Sequence, residues 1–189
     1  MTTWFTADLH FGHRNIITYC DRPFTDVDHM NEMLVGNWND TVADDDTVWV
    51  LGDVAMGRTE ESLALVGRLA GRKILLAGNH DRCWFGHGER SEEWVQRYLD
   101  AGFEQIVQGS THIDVGDTRA LACHFPYTGD SQAVERYVEH RPVDDGEWLL
   151  HGHVHEQWAV NGRMINVGVD VRDHRPISED QLASIIAAG

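Results

Sequence analysis

Three short apolar runs in the first half of the chain each end in an aspartate or a glycine. They read TTWFTAD from residue 2, TVWVLGD from residue 47 and KILLAG from residue 73. Short apolar runs bounded by turn-forming residues are typical of buried strands. Because helical patterns separate these runs, the first half of the chain predicts a parallel sheet with helices packed outside it.

The helical patterns between the runs have identifiable beginnings and ends. A capping box at Thr25 and Asp28 precedes a series of apolar residues at helical spacing, namely Val27, Met30, Leu34 and Trp38. Two further helices are expected over residues 59–71 and 91–102, and each of them ends at a glycine. These segments are long enough to connect parallel strands across a sheet.

The second half of the chain predicts more strand than helix. STHIDV and RALACH flank a GDT turn, and EQWAV and RMINVGV flank Asn161-Gly162, so each pair is expected to form a hairpin. EWLLHG supplies one more strand, and a final helix should begin at Ser178 with Gln181 completing a capping box. We therefore expect one α/β domain over residues 1–189, a four-layer α-β-β-α sandwich of two mixed sheets flanked by helices.

The composition excludes several classes of protein. No apolar run reaches the roughly 18 residues of a membrane span, and the N-terminus lacks the basic segment of a signal peptide. Three distant cysteines without a CxxC pair predict a reducing, cytoplasmic location. The net charge of −16 argues against binding extended nucleic acid. A small anionic substrate remains compatible with that charge, because salt screens charges beyond about 8 Å.

Side chains that can bind metal ions directly follow five of the predicted strands. They are Asp8 and His10, Asp53, Asn79 with His80 and Asp81, His124, and finally His153 and His155. In open α/β sheets, functional residues collect beyond the carboxyl ends of the strands. Each segment alone is compatible with an ordinary turn, but the repetition indicates a common site.

The segment HGHVH places three histidines at alternate positions, His151, His153 and His155. In an extended segment, alternate side chains point to the same side. The pattern alone fits either a metal site or a polar strand edge.

The ordered set DLH, GDV, GNHD, an isolated histidine and GHVH resembles the five-motif signature of the calcineurin-like metallophosphoesterases. The resemblance covers residues 8 to 155. It implies two divalent metal ions, Mn²⁺ first, with Fe, Zn²⁺, Co²⁺ or Ni²⁺ as alternatives. One ion would be held by Asp8, His10, Asp53 and His155, and the other by Asp53, Asn79, His124 and His153, so that Asp53 bridges the two.

The resemblance also implies roles for residues beside the metal ligands. His80 would protonate the leaving group, and Asp81 would orient or charge-balance His80, unless Asp81 only caps a helix. His13, Arg14 and Asn79 are candidates for binding the substrate, and Arg22 is a weaker one. Gly152 would let the backbone approach the site closely. His151 matches no ligand and is assigned to the preceding strand or to contacts behind the ligands.

The expected function is hydrolysis of small phosphate esters, with phosphodiesters such as cyclic mononucleotides as substrates. A nuclease, a Ser/Thr-type protein phosphatase and a non-catalytic scaffold are the alternatives. GNHD in place of GNHE, and Gly57 in place of an arginine, disfavour the protein phosphatase. The intact ligand set disfavours the scaffold. No partner besides a small substrate is expected, neither extended nucleic acid nor a membrane, and the sequence leaves the oligomeric state open.

Overall fold

The three apolar runs of the first half form neighbouring parallel strands in the computed structural model, which describes residues 1–189. A fourth parallel strand and one antiparallel edge strand complete this first sheet, in the order β10-β1-β2-β3-β4. Its strands are β1 (Thr3–Thr6), β2 (Thr47–Val50), β3 (Arg72–Leu76), β4 (Phe103–Val107) and β10 (Ile177–Ser178).

The second sheet also has five strands and mixes parallel with antiparallel pairing, in the order β5-β6-β7-β9-β8. Its strands are β5 (Ser110–Val115), β6 (Thr118–Cys123), β7 (Leu149–His151), β8 (Val160–Asn161) and β9 (Met164–Asn166). Both predicted hairpins are present. The second is shorter than expected, because the Asn166 amide donates to the carbonyl oxygens of His155 and Trp158 and so holds the chain before β8 in a turn.

Five α-helices and four short 3₁₀ segments connect these strands. The helices are α1 (Ile16–Tyr19), α2 (Val27–Asn39), α3 (Thr59–Leu63), α4 (Glu92–Asp100) and α5 (Glu179–Ala188). The 3₁₀ segments are Ala64–Arg68, Phe85–Ser91, Val138–His140 and Val169–Val171. None of the helices has the length and hydrophobicity that a membrane crossing requires.

The helix ends agree only in part with the sequence patterns. The capping box at Ser178 and Gln181 is confirmed for α5. The capping box at Thr25 and Asp28 is wrong, because Asp26 is the N-cap of α2 and its carboxylate accepts the N–H of His29 at 2.8 Å. The helix expected over residues 59–71 is α-helical only from Thr59 to Leu63, and the chain continues as 3₁₀ turns over Ala64–Arg68.

Two hydrophobic cores hold the layers together. Between the two sheets lie Phe5, Leu51 and Leu76 from the first and Ala122 and Leu150 from the second, all buried. The other core joins the first sheet to α2, α3 and α4 and includes Val48, Val50, Leu75, Met30, Leu34, Trp38, Leu63 and Tyr98. The predicted α/β sandwich of two mixed sheets flanked by helices is thereby confirmed.

Candidate metal centre

Loops that follow strands β1, β2, β3, β6 and β7 bring the predicted ligands into one buried cluster. Each of the seven side chains is at most 8% exposed: Asp8, His10, Asp53, Asn79, His124, His153 and His155. Burying two carboxylates costs free energy unless opposite charge compensates them. The cluster therefore requires positive charge among these side chains.

The backbone at five of these ligands adopts the left-handed region that L-residues normally avoid. The φ angles are 58° at Asp8, 52° at His10, 57° at Asp53, 70° at His153 and 50° at His155. The left-handed conformation costs roughly 1–2 kcal/mol per L-residue. Residues in such conformations cluster at functional sites, where the surrounding structure holds them.

The HGHVH segment is not extended beyond His151, so the side-chain alternation of an extended segment does not apply to His153 and His155. His151 is the last residue of β7, and the chain then turns through His153 and His155. The His151 ring belongs to the strand end, because its Nδ1 donates to the carbonyl oxygen of Gly152 at 2.7 Å. The two later histidines therefore approach the site through the turn and not through strand alternation.

Gly152 stands where the backbone passes closest to the Asp8 carboxylate. A Cβ atom at this position would lie 2.6 Å from Oδ2 of Asp8. The neighbouring N–H of His153 donates to the same oxygen at 3.0 Å. This contact confirms that Gly152 permits the close approach predicted from the sequence.

The donor atoms form two overlapping groups. Within each group, one atom per residue lies within 4.8 Å of the others: Asp8, His10 and His155 in the first, and Asp8, Asp53 and His124 in the second. Oδ2 of Asp53 lies 3.5 Å from Nε2 of His10 and 3.5 Å from Nε2 of His124. A single carboxylate oxygen thus faces one ring from each predicted ligand set.

Several of these potential metal-binding atoms lie close to one another. Nδ1 of His124 donates to the Leu51 carbonyl oxygen at 2.7 Å, so the lone pair of the neutral ring is on Nε2. That Nε2 faces Oδ1 of Asn79 at 3.2 Å, in addition to Asp53. Neither ring nitrogen of the buried His10 has a hydrogen-bond partner. Oxygen and nitrogen lone pairs arranged in this way fit a bound divalent cation.

Without a metal ion, a proton can take that place. Burial opposes a charge on the His124 ring, but the Asp53 carboxylate outweighs burial and raises the pKa of His124 to about 9. For His10, burial dominates and lowers the pKa well below its ordinary value, which leaves this ring neutral. A neutral imidazole is the form that binds metals.

Asp170 and Arg22 support the cluster from behind, and neither role was predicted. Nδ1 of His155 lies 3.0 Å from Oδ2 of Asp170. The Arg22 guanidinium binds the same carboxylate, with Nε at 2.7 Å, and donates to the carbonyl oxygen of Asp8 at 2.7 Å. Arg22 is 4% exposed, so it cannot serve as the substrate-binding arginine considered from the sequence. The only local signal for Asp170 is its place shortly after strand β9.

Asp81 does not pair with the side chain of His80. Its carboxylate instead accepts main-chain N–H groups at 2.8–3.0 Å and the hydroxyl of Tyr98 at 3.3 Å. The main-chain donors are Asp53, Val54 and Gly78. Asp81 thus ties the loop after β2 to the loop after β3. The structure gives it a supporting role in place of the expected orientation of His80.

An open cleft of about 500 Å³ leads to the cluster. His80 lines it, and its main-chain N–H donates to Oδ1 of Asp53 at 2.8 Å. His13 also lines the cleft, with a buried Nδ1 that has no partner. Arg14 is exposed and does not line the cleft. Apart from the candidate metal ligands, the remaining residues of the walls are Ile16, Tyr19, Cys20, Met56, Ser131, Gln132, Arg136 and Glu156.

Comparisons with known proteins identify close relatives. The gene 66 protein of Mycobacterium phage L5 is 33% identical over 97% of this chain and 93% of its own length. The uncharacterized protein MJ1445 of Methanocaldococcus jannaschii is 31% identical over 98% of this chain and 92% of its own. The solved structure of AQ665 from Aquifex aeolicus, a protein of unknown function, superposes with a TM-score of 0.72 at 28% identity, over 97% of this chain and 98% of that one. No family model matches the chain. At these identities and coverages, the chain belongs to the family that contains the phage L5 gene 66 protein and MJ1445.

Proposed function

We propose that this protein is a metal-dependent phosphoric ester hydrolase with two divalent ions in one site, a member of the calcineurin-like metallophosphoesterases that prefers phosphodiesters. The observation that carries the proposal is the position of Asp53. Its Oδ2 lies 3.5 Å from a ring nitrogen of each of two histidines, His10 and His124, and neither ring nitrogen of the buried His10 has a hydrogen-bond partner. The five-motif resemblance supports the same centre.

The residues present fit two ions. Asp8, His10, Asp53 and His155 would hold one, and Asp53, Asn79, His124 and His153 would hold the other. Carboxylate, amide and imidazole donors without a thiolate suit Mn²⁺ first, and Fe, Zn²⁺, Co²⁺ or Ni²⁺ as alternatives. When bound, two such ions would lower the pKa of a coordinated water molecule, and their positive charge would attract the phosphoryl oxygens.

His80 is the candidate general acid. Its ring lines the cleft, while its main-chain N–H is fixed to Oδ1 of Asp53. Because the His80 ring belongs to neither of the two proposed ligand sets, it is available to carry a proton. It would donate that proton to the ester oxygen that leaves, as the bond between this oxygen and phosphorus breaks.

His13 is the candidate substrate-binding residue. The centroids of the His13 and His80 rings both lie 5.4 Å from the centroid of the His10 ring. Both histidines line the same cleft. A phosphate ester bound there would have its phosphoryl oxygens contacted by His13 and its leaving oxygen protonated by His80.

The cleft limits the substrate class. A volume of about 500 Å³ is in the range of small-molecule sites. Small phosphate esters, including cyclic mononucleotides, suit this size. The net charge of −16 disfavours long nucleic acid, whose binding depends on neutralising many phosphates.

A comparison of two chromogenic esters with Mn²⁺ tests the proposal. We expect metal analysis to give two ions per chain, and bis-p-nitrophenyl phosphate to be hydrolysed faster than p-nitrophenyl phosphate. Faster monoester turnover would overturn the diester preference. If two ions are bound but neither ester nor any of a panel of cyclic nucleotides is hydrolysed, the protein is a non-catalytic scaffold and the proposed enzymatic activity is wrong.

A further inference from the structure

Asp130 connects the candidate ligand His153 to one wall of the cleft. It lies in the long connection between β6 and β7, outside every motif of the sequence. Its side chain is fully buried, and Oδ2 lies 3.1 Å from Nε2 of His153. A buried carboxylate beside a candidate metal ligand calls for a physical explanation.

Two arginines keep this carboxylate ionised. The Arg136 guanidinium binds Oδ1 of Asp130 at 2.7 Å, and the Arg141 guanidinium lies 3.4 Å from Oδ2. An ionised carboxylate only accepts hydrogen bonds, so Nε2 of His153 must carry the hydrogen. The lone pair of the neutral ring is then on Nδ1, which becomes the nitrogen available to a metal ion.

The same carboxylate also orders the cleft wall. It accepts the main-chain N–H of Gln132 at 3.2 Å and that of Arg136 at 2.9 Å. Ser131, Gln132 and Arg136 all line the cleft. One buried side chain therefore fixes both the tautomer of His153 and the position of residues 131–136.

The other histidine of the motif has a matching arrangement. His155 uses Nδ1 to contact Asp170, which in turn is bound by Arg22. Each histidine thus has one ring nitrogen on a carboxylate that an arginine neutralises. Partners of metal-binding histidines orient the ring and typically change metal affinity by about 10–100-fold when removed.

We infer that Asp130 is a positioning residue: it presents Nδ1 of His153 to one of the two ions and holds residues 131–136 as a wall of the cleft. The role of Asp130 toward the metal ion rests on the proposed function, whereas its role in the cleft wall does not. It assigns a role to a segment that no sequence motif marks.

Metal titration and proteolysis of three full-length variants test this inference. Asp130→Ala should raise the Kd of one Mn²⁺ about 10–100-fold and leave the other unchanged. Asp130→Asn keeps an acceptor for Nε2 of His153 but loses the ionic contacts with the arginines. Asp130→Asn should therefore bind this ion much more tightly than Asp130→Ala does, with an affinity close to that of the wild type. Asp145→Ala, which removes an exposed carboxylate of the same connection, should bind both ions as the wild type does.

Trypsin cleavage after Arg136 gives a second readout that does not depend on activity. We expect Asp130→Ala and Asp130→Asn to be cleaved there severalfold faster than the wild type, while circular dichroism shows both folded. Wild-type affinity for both ions in Asp130→Ala, or equal loss of the ion in Asp130→Asn and Asp130→Ala, would overturn the positioning role. Unchanged cleavage after Arg136 would overturn the claim that Asp130 holds residues 131–136 in place. If the wild type binds no Mn²⁺, the proposed function itself fails, which is a distinct result.

Discussion

Oδ2 of Asp53 lies 3.5 Å from Nε2 of His124, although the two residues come from different sheets. The His124 ring is oriented by its bond to the Leu51 carbonyl oxygen, next to the strand that delivers Asp53. Such a contact is unfavourable for a neutral ring and an ionised carboxylate, since both atoms are acceptors. A proton or a metal ion between the two atoms resolves the conflict.

Asp53→Asn tests the bridging role. The amide keeps the volume of the side chain but removes the negative charge shared between the two ions. We expect loss of at least one ion per chain by metal analysis, together with loss of ester hydrolysis. Asp45→Asn removes an exposed carboxylate far from the cluster and should retain both ions. Two ions and normal turnover in Asp53→Asn would contradict the assignment.

His80→Ala tests the general acid. We expect turnover of esters with poor leaving groups to fall by about 10²–10⁴-fold, because the departing oxygen loses its proton donor. Turnover of p-nitrophenyl esters should fall much less, because their leaving group needs little protonation. Metal content should stay at two ions. His112→Ala, at an exposed histidine outside the site, is the control. If metal content and turnover fell in parallel, His80 would be a metal ligand and not the general acid.

Gly152→Ala tests the close approach of the backbone to Asp8. The added Cβ would lie 2.6 Å from Oδ2 of Asp8, so the turn must move. We expect the free energy of unfolding to fall by about 1–3 kcal/mol in chemical denaturation, as for other overpacked sites. Gly36→Ala in α2, where nothing lies within 4 Å of the new Cβ, should instead be neutral or stabilising by about 0.5–1 kcal/mol. Equal stabilities of the two variants would refute the steric argument.

Asp81→Asn separates a supporting role from a catalytic one. The carboxylate accepts three main-chain N–H groups, and the amide can replace only one of its two acceptor oxygens. Leaving buried donors unsatisfied costs about 1–3 kcal/mol, so we expect a loss of this size in urea denaturation. If stability is unchanged while the rate falls as in His80→Ala, Asp81 acts through His80 after all.

Mn²⁺ should stabilise the folded chain. Ions that bind only the native cluster add about 2.7 kcal/mol per site at a concentration of 100 Kd. We expect the Tm to rise on adding Mn²⁺ and to return after chelation with EDTA. The rise should be smaller in Asp53→Asn. A Tm that is independent of Mn²⁺ in the wild type would argue against a native metal site.

The sequence by itself determined three of the five strands of the first sheet, β1, β2 and β3, and the residues that follow them, but neither β4 nor β10. Asp8, Asp53 and Asn79 could be placed at a common edge because their strands are apolar runs that end abruptly, and parallel strands present their carboxyl ends on the same side. The chemical nature of the donors then indicated a metal. These inferences use local periodicity and one topological rule, and both are encoded in short stretches of sequence.

Only the tertiary structure decided how the histidines are held. Arg22 and Asp170 are 148 residues apart in sequence, and Asp130 reaches His153 from an irregular connection, so neither pair leaves a periodic signal. The left-handed turn at His153 likewise departs from the alternation that its spacing suggested. The physical reason is that backbone direction at a turn and long-range ion pairs follow from the packing of the whole chain.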